Sequence, residues 1–201
     1  MKSGNFKISE SIFLLLFSLI FGYSVSNATD KYAVDMMHSS VGFSVKHMVI
    51  STVRGNFTDF KVDLAYDAKN LSDSQVNTTI FVNSINTGNE KRDGHLKSPE
   101  FFDAENYPEI TFTGKSVVKK GADYILRGTL KIKEISKDVE IPFKLSGPIQ
   151  DPYSNTRIGI EGHLTINRQD FNVKWSMKLD GGGLVVSDNV DIDLMLEATK
   201  M

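Results

Sequence analysis

Apolar side chains recur at every second residue through most of this chain, and that alternation limits the fold more than any other feature of the sequence. Val41, Phe43 and Val45 share one face of the first long run, while Gly42 and Ser44 share the other. An apolar face that repeats with period two indicates a β-strand with one side buried. Similar runs continue almost to the last residue, so the pattern predicts an all-β protein.

We count eight or nine such strands, joined by short turns, with no long helical pattern and no internal repeat. This spacing favours an antiparallel meander that closes as a barrel or packs as a sandwich. An eight-stranded barrel is just wide enough to fill with side chains or to hold one small ligand. Glycines on the inward faces, Gly128, Gly147 and Gly162, leave room and therefore favour a cavity.

Two strands raise questions about their surroundings. Pro142 lies on the outer face of its run and cannot donate to a hydrogen-bond ladder, which predicts an edge strand or a bulge at that point. The run over residues 75–83 is apolar on both sides near its end, with Ile80 on one face and Phe81 on the other. The sequence leaves undecided which face of this run points inward.

One long passage, from His95 to Phe112, breaks the alternation. Pro99 and Pro108 lie on either side of a paired aromatic, and the strand pattern resumes only after the second proline. Because proline disfavours helix at the residue before it, we expect a short helix followed by a turn. In a small all-β protein such an insertion is expected to cap one end of the sheet or barrel.

The first 28 residues predict a secretory signal that is not part of the domain. Lys2 and Lys7 form a basic start, an apolar stretch covers residues 12–21, and the sequence up to Ala28 fits a cleavage site. The stretch is shorter than the roughly 20 apolar residues that cross a membrane. We therefore expect export to the periplasm, cleavage near Ala28, one domain over residues 29–201 and no integral membrane segment.

Charge and cysteine content narrow the partners and the means of stabilisation. Residues 29–201 contain 21 basic and 24 acidic side chains, a net charge of −3 with neutral histidine. This balance argues against nucleic acid or an anionic membrane as the main partner. Since the chain has no cysteine, the exported domain must be held together by its core.

No motif for catalysis or metal binding stands out. The four histidines include no pair at the spacing that zinc sites show, so we expect no metal site. There is no cysteine nucleophile and no G-x-S-x-G elbow. Polar residues that could face a ligand head group at a barrel mouth are His38, His95, Arg168 and Asp170. For Arg168 and Asp170, a salt-bridged structural turn is an equally good interpretation.

Four motifs together identify a family. They are D-x-x-H-S-x-V-x-F-x-V-x-H from Asp35, S-x-V-x-G-x-F-x-x-F from Ser51, R-D-x-H-L-K-S-P-x-F-F-D-x-x-x-Y-P from Arg92 and I-N-R-x-D-F from Ile166. In this order they resemble the successive signatures of the YceI-like polyisoprenoid-binding proteins, and they span nearly all of residues 29–201. Two positions depart from the family pattern: Gly94, where an acidic residue is common, and Asn172, where glycine is frequent.

The resemblance implies an extended, lipocalin-like antiparallel β-barrel with one or two short helices. Its apolar interior would hold a polyisoprenoid, an isoprenoid quinone or a fatty amide, in a periplasmic carrier or sequestering protein without an established enzymatic reaction. The expected partner is a long-chain apolar small molecule, no cofactor is expected besides such a bound lipid, and a homodimer is a further candidate. The side chains expected along the bound chain are Phe43, Val45, Phe60, Val62, Leu64, Phe112, Leu126, Leu130, Phe143, Leu145, Ile160, Leu164 and Leu194.

Two functions of other classes stay open. One is an enzyme that acts on a lipid or quinone head group, with His38, His95, Arg168 or Asp170 at the barrel mouth. The other is a structural or interaction module with a solid core, which predicts no cavity at all.

Overall fold

The alternating runs form eleven antiparallel strands in a computed structural model that describes residues 29–201. The strands are β1 Asp30–Val34, β2 Ser40–His47, β3 Ser51–Phe57, β4 Phe60–Tyr66, β5 Gln75–Phe81, β6 Ile85–Asn86, β7 Glu109–Lys120, β8 Asp123–Ile132, β9 Ile135–Gln150, β10 Thr156–Asn167 and β11 Val186–Lys200. One α-helix, α1 Glu90–Lys97, and three short 3-10 helices, Leu71–Asp73, Val82–Ser84 and Arg168–Phe171, complete the fold. The expected signal sequence lies outside the described residues.

Eight of the strands close into a barrel. Their order is β1-β4-β5-β7-β8-β9-β10-β11, and β1 pairs with both β4 and β11, which closes the ring. Strand β11 is long enough to serve two neighbours, because its last residues pair with β1 and its earlier residues pair with β2. Strands β2, β3 and β6 thus extend the sheet beyond the ring. The predicted lipocalin-like antiparallel barrel is confirmed.

The register defines two ends of the barrel. The β8–β9 turn, the β2–β3 turn and the junction of β10 with the 3-10 helix Arg168–Phe171 lie at one end, which we call the cap end. The β7–β8 and β9–β10 turns lie at the other, which we call the far end. Among the described residues, no helix is both long enough and apolar enough to span a bilayer.

The inward face of β5, which the sequence left open, is the one that carries Val76, Thr78 and Ile80. Phe81 points to the outside, where the Nζ atom of Lys61 lies 5.3 Å from the centre of its ring. The ring's partly exposed position beside a lysine explains why both faces of this strand look apolar in sequence.

Strand β9 is not an edge strand over its whole length, but at Pro142 it is paired on one side only, so the predicted edge position holds locally. Strand β9 pairs with β8 on one side and β10 on the other, and Pro142 itself lies opposite Ile125 of β8. The ladder from β9 to β10 ends at Phe143, opposite Gly162. Proline is tolerated here because it lies one residue beyond the end of that ladder, where the missing N–H has no paired strand to reach.

Of the glycines expected on inward faces, Gly162 lines the cavity, whereas Gly128 makes room for a neighbouring aromatic ring, which corrects the argument at that position. A Cβ atom on Gly128 would lie 2.6 Å from Phe112 Cε2 and 2.6 Å from Thr113 O, because the Phe112 ring lies over the glycine. In the same way the Phe43 ring covers Gly55 from the neighbouring strand. Gly147, with a φ of 91°, is exposed. Cross-strand packing of an aromatic ring over glycine fills space in a curved sheet.

The helix begins earlier than the interruption in the sequence pattern predicts. Asn89 caps α1, its side chain accepting from Arg92 N at 3.0 Å, so the helix starts at Glu90. It ends at Lys97, two residues before Pro99, because proline excludes helix from the residue that precedes it. Most of the passage from His95 to Phe112 is therefore a series of turns that leads into β7.

We predict that Gly128→Ala lowers the free energy of unfolding by about 2 kcal/mol, because the new methyl group overlaps both the Phe112 ring and a backbone oxygen. Gly159→Ala is the matched control, since its Cβ would meet no atom closer than Ser146 Cβ at 3.7 Å. Urea unfolding of both variants measures the difference. Equal stability of the two variants would contradict the packing of Phe112 over Gly128.

Candidate lipid-binding cavity

A cavity of about 220 Å³ runs through the barrel interior. Residues from every strand of the ring except β1 line it. Strands β2 and β3, residues between 96 and 102, and the segment between β10 and β11 complete the lining. Among the lining residues, Thr78 and Arg168 alone have polar side chains. A space of this kind favours an apolar ligand, because a polar group placed there would lose its hydration without gaining hydrogen bonds.

Eleven of the thirteen side chains expected along a bound chain line this cavity. The two that do not are Phe60, which is buried in the main core, and Leu145, which packs against a smaller core at the far end. That smaller core contains Tyr32, Leu64, Ile158 and Ala198. The inward faces follow from the alternation, whereas contact with a ligand stays a prediction.

Aromatic residues close the cavity region at the far end. Tyr124 stacks on Phe143 with ring centres 5.4 Å apart, and Tyr32 meets Tyr66 edge to face at 5.8 Å. Burial raises the pKa of Tyr66, with Tyr124 and Tyr32 nearby as further causes. The Tyr66 phenol is therefore uncharged at neutral pH.

Arg168 lies at the cap end, where the sequence placed it, and its guanidinium is buried. Its Nε donates to Ser187 O at 2.9 Å, and Nη1 donates to Val173 O and Trp175 O, each at 2.7 Å. Nη2 donates to Val186 O at 3.3 Å and to Asp188 Oδ1 at 3.0 Å.

These bonds use all five N–H donors of the guanidinium. Burial lowers the pKa of Arg168, and Asp188 opposes that shift. The side chain holds the loop that precedes β11 against the barrel, which is the structural alternative that the sequence offered. A contact between Arg168 and a ligand head group stays a prediction.

Asp170, the other polar residue expected at the mouth from this motif, is exposed, and its Oδ2 lies 3.1 Å from Lys137 Nζ.

The segment over residues 87–108, which we call the cap, supplies apolar side chains to the cavity. Leu96, Phe101 and Phe102 are the cap residues that line it. The Phe101 ring stacks on Trp175 with centres 5.4 Å apart, and the Phe102 ring meets Phe57 edge to face at 6.2 Å. The cap thus contacts both the loop before β11 and strand β3.

Trp175, which sequence reasoning missed, is central to this contact. It is the one tryptophan of the chain, and its backbone oxygen is held by Arg168 while its ring packs on Phe101. The signal that could have found it is a lone tryptophan eight residues after Asn167, where the Asn-Arg-Gln-Asp-Phe motif begins to break the strand pattern. Large aromatic side chains outside the alternation often anchor a loop.

His95 lies beside this aromatic pair. Its ring meets Phe101 at 4.9 Å and Trp175 at 5.5 Å, both edge to face, and its Nε2 lies 2.6 Å from Glu100 Oε2. His95 and Arg168 are therefore both near Trp175 at the cap end.

His38 is not brought to this site. It lies in the bend between β1 and β2, on the outside of the barrel, with Nδ1 3.0 Å from Asp35 Oδ2. That hydrogen bond is the main reason the pKa of Asp35 falls to about 2. The sequence expectation of a common mouth for all four polar residues is thus not met by His38.

Asp35, His38 and Glu197 are close enough to be considered as metal ligands. Arg157 already occupies this position, because its Nη1 donates to Glu197 Oε1 at 2.6 Å and to Asp35 Oδ2 at 3.2 Å. A guanidinium between two carboxylates supplies the positive charge that an ion would bring. We therefore read the group as a structural ion-pair network.

The departure from the family pattern at Asn172 has a structural reason. Its φ is 61°, in the left-handed region where glycine is favoured and asparagine is tolerated. Its side-chain nitrogen donates to Glu134, and its backbone oxygen accepts from Lys133 Nζ. Asparagine keeps the turn and adds a bond to the β8–β9 turn, where Glu134 also raises the pKa of Tyr107 in the cap.

Comparison with known proteins assigns the family. The YceI-like domain matches residues 32–198. Protein YceI of Escherichia coli is 36% identical over 185 residues, which cover 91% of this chain and 93% of that protein. A UPF0312 protein of Pectobacterium atrosepticum is 38% identical over 143 residues, covering 71% of this chain and 74% of that protein.

Solved structures share the fold. BcnA of Burkholderia cenocepacia superposes with a TM-score of 0.74 at 27% identity, over 83% of this chain and 100% of that one. A domain of Saccharophagus degradans, described as polyisoprenoid binding, has a TM-score of 0.61 at 18% identity and covers 86% of this chain and 99% of its own. With the domain match across the barrel and a relative that aligns along nearly its whole length, the chain belongs to the YceI-like family.

Proposed function

We propose that this protein is an exported, periplasmic lipid-binding protein that holds one long apolar chain inside the barrel, as a carrier or sequestering protein. The observation that carries the proposal is the continuous cavity, whose lining has two polar side chains, one of them with all its donors bonded to the protein. The polyisoprenoid-binding domain of the same fold supports a polyisoprenoid as the ligand. An isoprenoid quinone or a fatty amide would present the same kind of long apolar chain to the cavity.

Burial of the ligand tail supplies most of the affinity in this proposal. Each enclosed methylene contributes about 0.8 kcal/mol, so ten to fifteen carbons give roughly 8–12 kcal/mol before the cost of association. A single neutral hydrogen bond to a head group adds only about 1 kcal/mol. Selectivity should therefore follow chain length and shape more than head-group chemistry.

The two other function classes have less support. A solid-core module predicts no cavity, which the barrel interior argues against. An enzyme acting on a head group would need free polar groups at one place, but His38 lies outside the barrel and Arg168 is fully engaged. His95 beside Glu100 and Asp170 beside Lys137 are the remaining candidates for such chemistry. Each is paired with a charged neighbour, which is the arrangement expected of a structural contact.

We predict that protein purified without detergent carries an apolar adduct in native mass spectrometry, and that delipidated protein takes up one polyprenyl lipid. Leu130→Glu should abolish uptake because it places a carboxylate in the cavity, whereas Lys131→Glu, on the exposed face one residue further, should bind normally. Leu194→Trp, which fills the cavity without adding charge, keeps the test valid if Leu130→Glu does not fold. Normal uptake by both cavity variants, or a clean apo mass without uptake, would overturn the proposal.

Chain length gives a second prediction. In a series of straight-chain alcohols, each methylene that enters the cavity should lower Kd about fourfold until the cavity is full. Changing the alcohol to a primary amide or a methyl ester at constant length should alter Kd by no more than about fivefold. Quenching of Trp175 fluorescence or isothermal calorimetry measures both series. A head-group effect larger than the chain-length effect would favour specific recognition at the cap.

A third prediction concerns the cap as a gate. Phe101→Ala combined with Phe102→Ala should speed release of a fluorescent lipid by more than it lowers stability, because both rings line the cavity and connect the cap to the barrel, Phe101 through Trp175 and Phe102 through Phe57. Phe81→Ala, which removes an outward-facing ring, is the control and should leave release unchanged. Stopped-flow transfer to empty vesicles gives the rate. A loss of stability that accounts for the whole acceleration would make the cap a structural lid only.

A further inference from the structure

The turn between β2 and β3 holds three apolar side chains in solvent at the cap end. Met48 is 41% exposed, Val49 67% and Ile50 87%. Met177, 56% exposed, belongs to the adjoining loop, because Met48 N donates to Val185 O and Val185 N donates to Met177 O, each at 2.8 Å. We call these four exposed side chains, Met48, Val49, Ile50 and Met177, the apolar tip.

The backbone conformation of the β2–β3 turn does not favour the apolar residues that occupy it. Met48 and Val49 have φ angles of 50° and 66°, and Ile50 N donates to His47 O at 3.2 Å. The chain therefore reverses through a three-residue connection that contains a β-turn, and the two central residues of that β-turn are both left-handed, a conformation for which Asn-Gly is preferred. A β-branched residue in that region is strained. Exposure and strain fall on the same residues, a combination that is found at functional surfaces.

The charges around the tip are mostly basic. The β2–β3 hairpin and the loop before β11 contain Lys46, Arg54, Lys174 and Lys178, against a single acidic residue, Asp180. Within the part of the chain that the structure describes, none of these four basic side chains forms a salt bridge. Since residues 29–201 have a net charge of −3, the tip has a charge opposite to that of the whole domain.

Exposed apolar side chains at the far end have different surroundings. Ile149 and Tyr153 lie on the β9–β10 hairpin, next to the network in which Arg157 bonds to Asp35, Asp151 and Glu197. In that network three carboxylates surround one guanidinium, so the positive charge beside Ile149 and Tyr153 is already paired. An anionic surface would therefore be attracted more strongly to the tip, whose basic side chains form no salt bridge among the described residues.

We propose that the apolar tip docks this protein on a membrane surface rich in anionic phospholipid. The tip side chains would insert at the boundary between head groups and acyl chains, while the surrounding lysine and arginine side chains contact lipid phosphates. The argument from net charge against an anionic membrane describes the domain as a whole and does not hold for the tip and the two segments that carry it. Each basic residue near an anionic surface strengthens binding by roughly fivefold.

Docking at the tip would bring the cavity to the bilayer. Strands β2 and β11 lead from the tip into the barrel, and their residues Val45 and Val186 line the cavity. The docking itself does not rest on the proposed lipid-binding function, although it would provide the route by which a lipid leaves the bilayer for the cavity.

The decisive variant is Met48→Asn with Val49→Gly. It installs the preferred turn sequence, so the fold should be retained or stabilised, while two apolar side chains of the tip are removed. In co-sedimentation with vesicles of phosphatidylglycerol and phosphatidylethanolamine, we expect binding to fall by about tenfold or more relative to the unchanged protein. Ile149→Asn, which removes an exposed apolar side chain at the far end, is the control and should bind normally.

The basic side chains around the tip allow a second, independent test of docking. Lys46→Glu with Lys178→Glu should weaken binding to the same vesicles, as should added salt, and vesicles of phosphatidylcholine alone should bind weakly. Equal binding to both lipid compositions, or undiminished binding of the Asn-Gly variant, would overturn the proposal. Sedimentation velocity tests whether a second copy of this chain covers the tip instead. A dimer that the Asn-Gly variant converts to monomer would make the tip a contact between two copies, and docking would be refuted.

Lipid uptake from detergent-free solution separates this inference from the proposed function. The Asn-Gly variant should still take up a polyprenyl lipid, since its cavity is unchanged. Uptake by a protein that never binds vesicles would refute docking alone. Vesicle binding by a protein that takes up no lipid would refute the proposed function alone.

Discussion

Closure of the eight-stranded ring is the constraint on which the rest of the structure depends. Because β1 pairs with both β4 and β11, each strand of the ring has a neighbour on both sides, and every second side chain must point into one enclosed interior. That interior has little contact with water, so the inward positions have to be apolar. The alternation in the sequence is the consequence of this closure. The cavity exists because the ring, together with β2, β3 and the cap, encloses slightly more space than the inward side chains fill.

How the interior is divided between packing and cavity depends on pairs of residues on neighbouring strands. Phe112 over Gly128 and Phe43 over Gly55 place large rings where the partner strand has no side chain. Such pairs fill space near the barrel wall and leave the remaining volume as a channel. The aromatic residues at the far end and the cap residues at the other end then limit the length of that channel. In the proposed function, the cavity should therefore discriminate between ligands by the length of their apolar chain.

One buried cation organises the cap end. Arg168 donates to Val173, Trp175, Val186 and Ser187 through their backbone oxygens, so a loop without regular structure is held in place by a single side chain. Trp175 extends this support to the cap by stacking on Phe101. The same loop continues to the apolar tip, where Val185 links it to the β2–β3 turn. Cavity, cap and tip are therefore parts of one connected end of the barrel.

The sequence by itself determined most strand faces, the fold class and the family. The alternation of apolar residues and the order of the motifs can both be recognised without knowing which segments meet in the fold. It predicted inward positions such as Leu130 and Leu194, and it placed Arg168 at the end of a strand. Only the tertiary structure decided that Pro142 lies in a strand paired on both sides, and that His38 lies apart from His95. It alone decided that Trp175 joins the loop to the cap. These features depend on which distant segments meet, and the pairing of β1 with β11, nearly the whole chain apart, is visible in no local pattern.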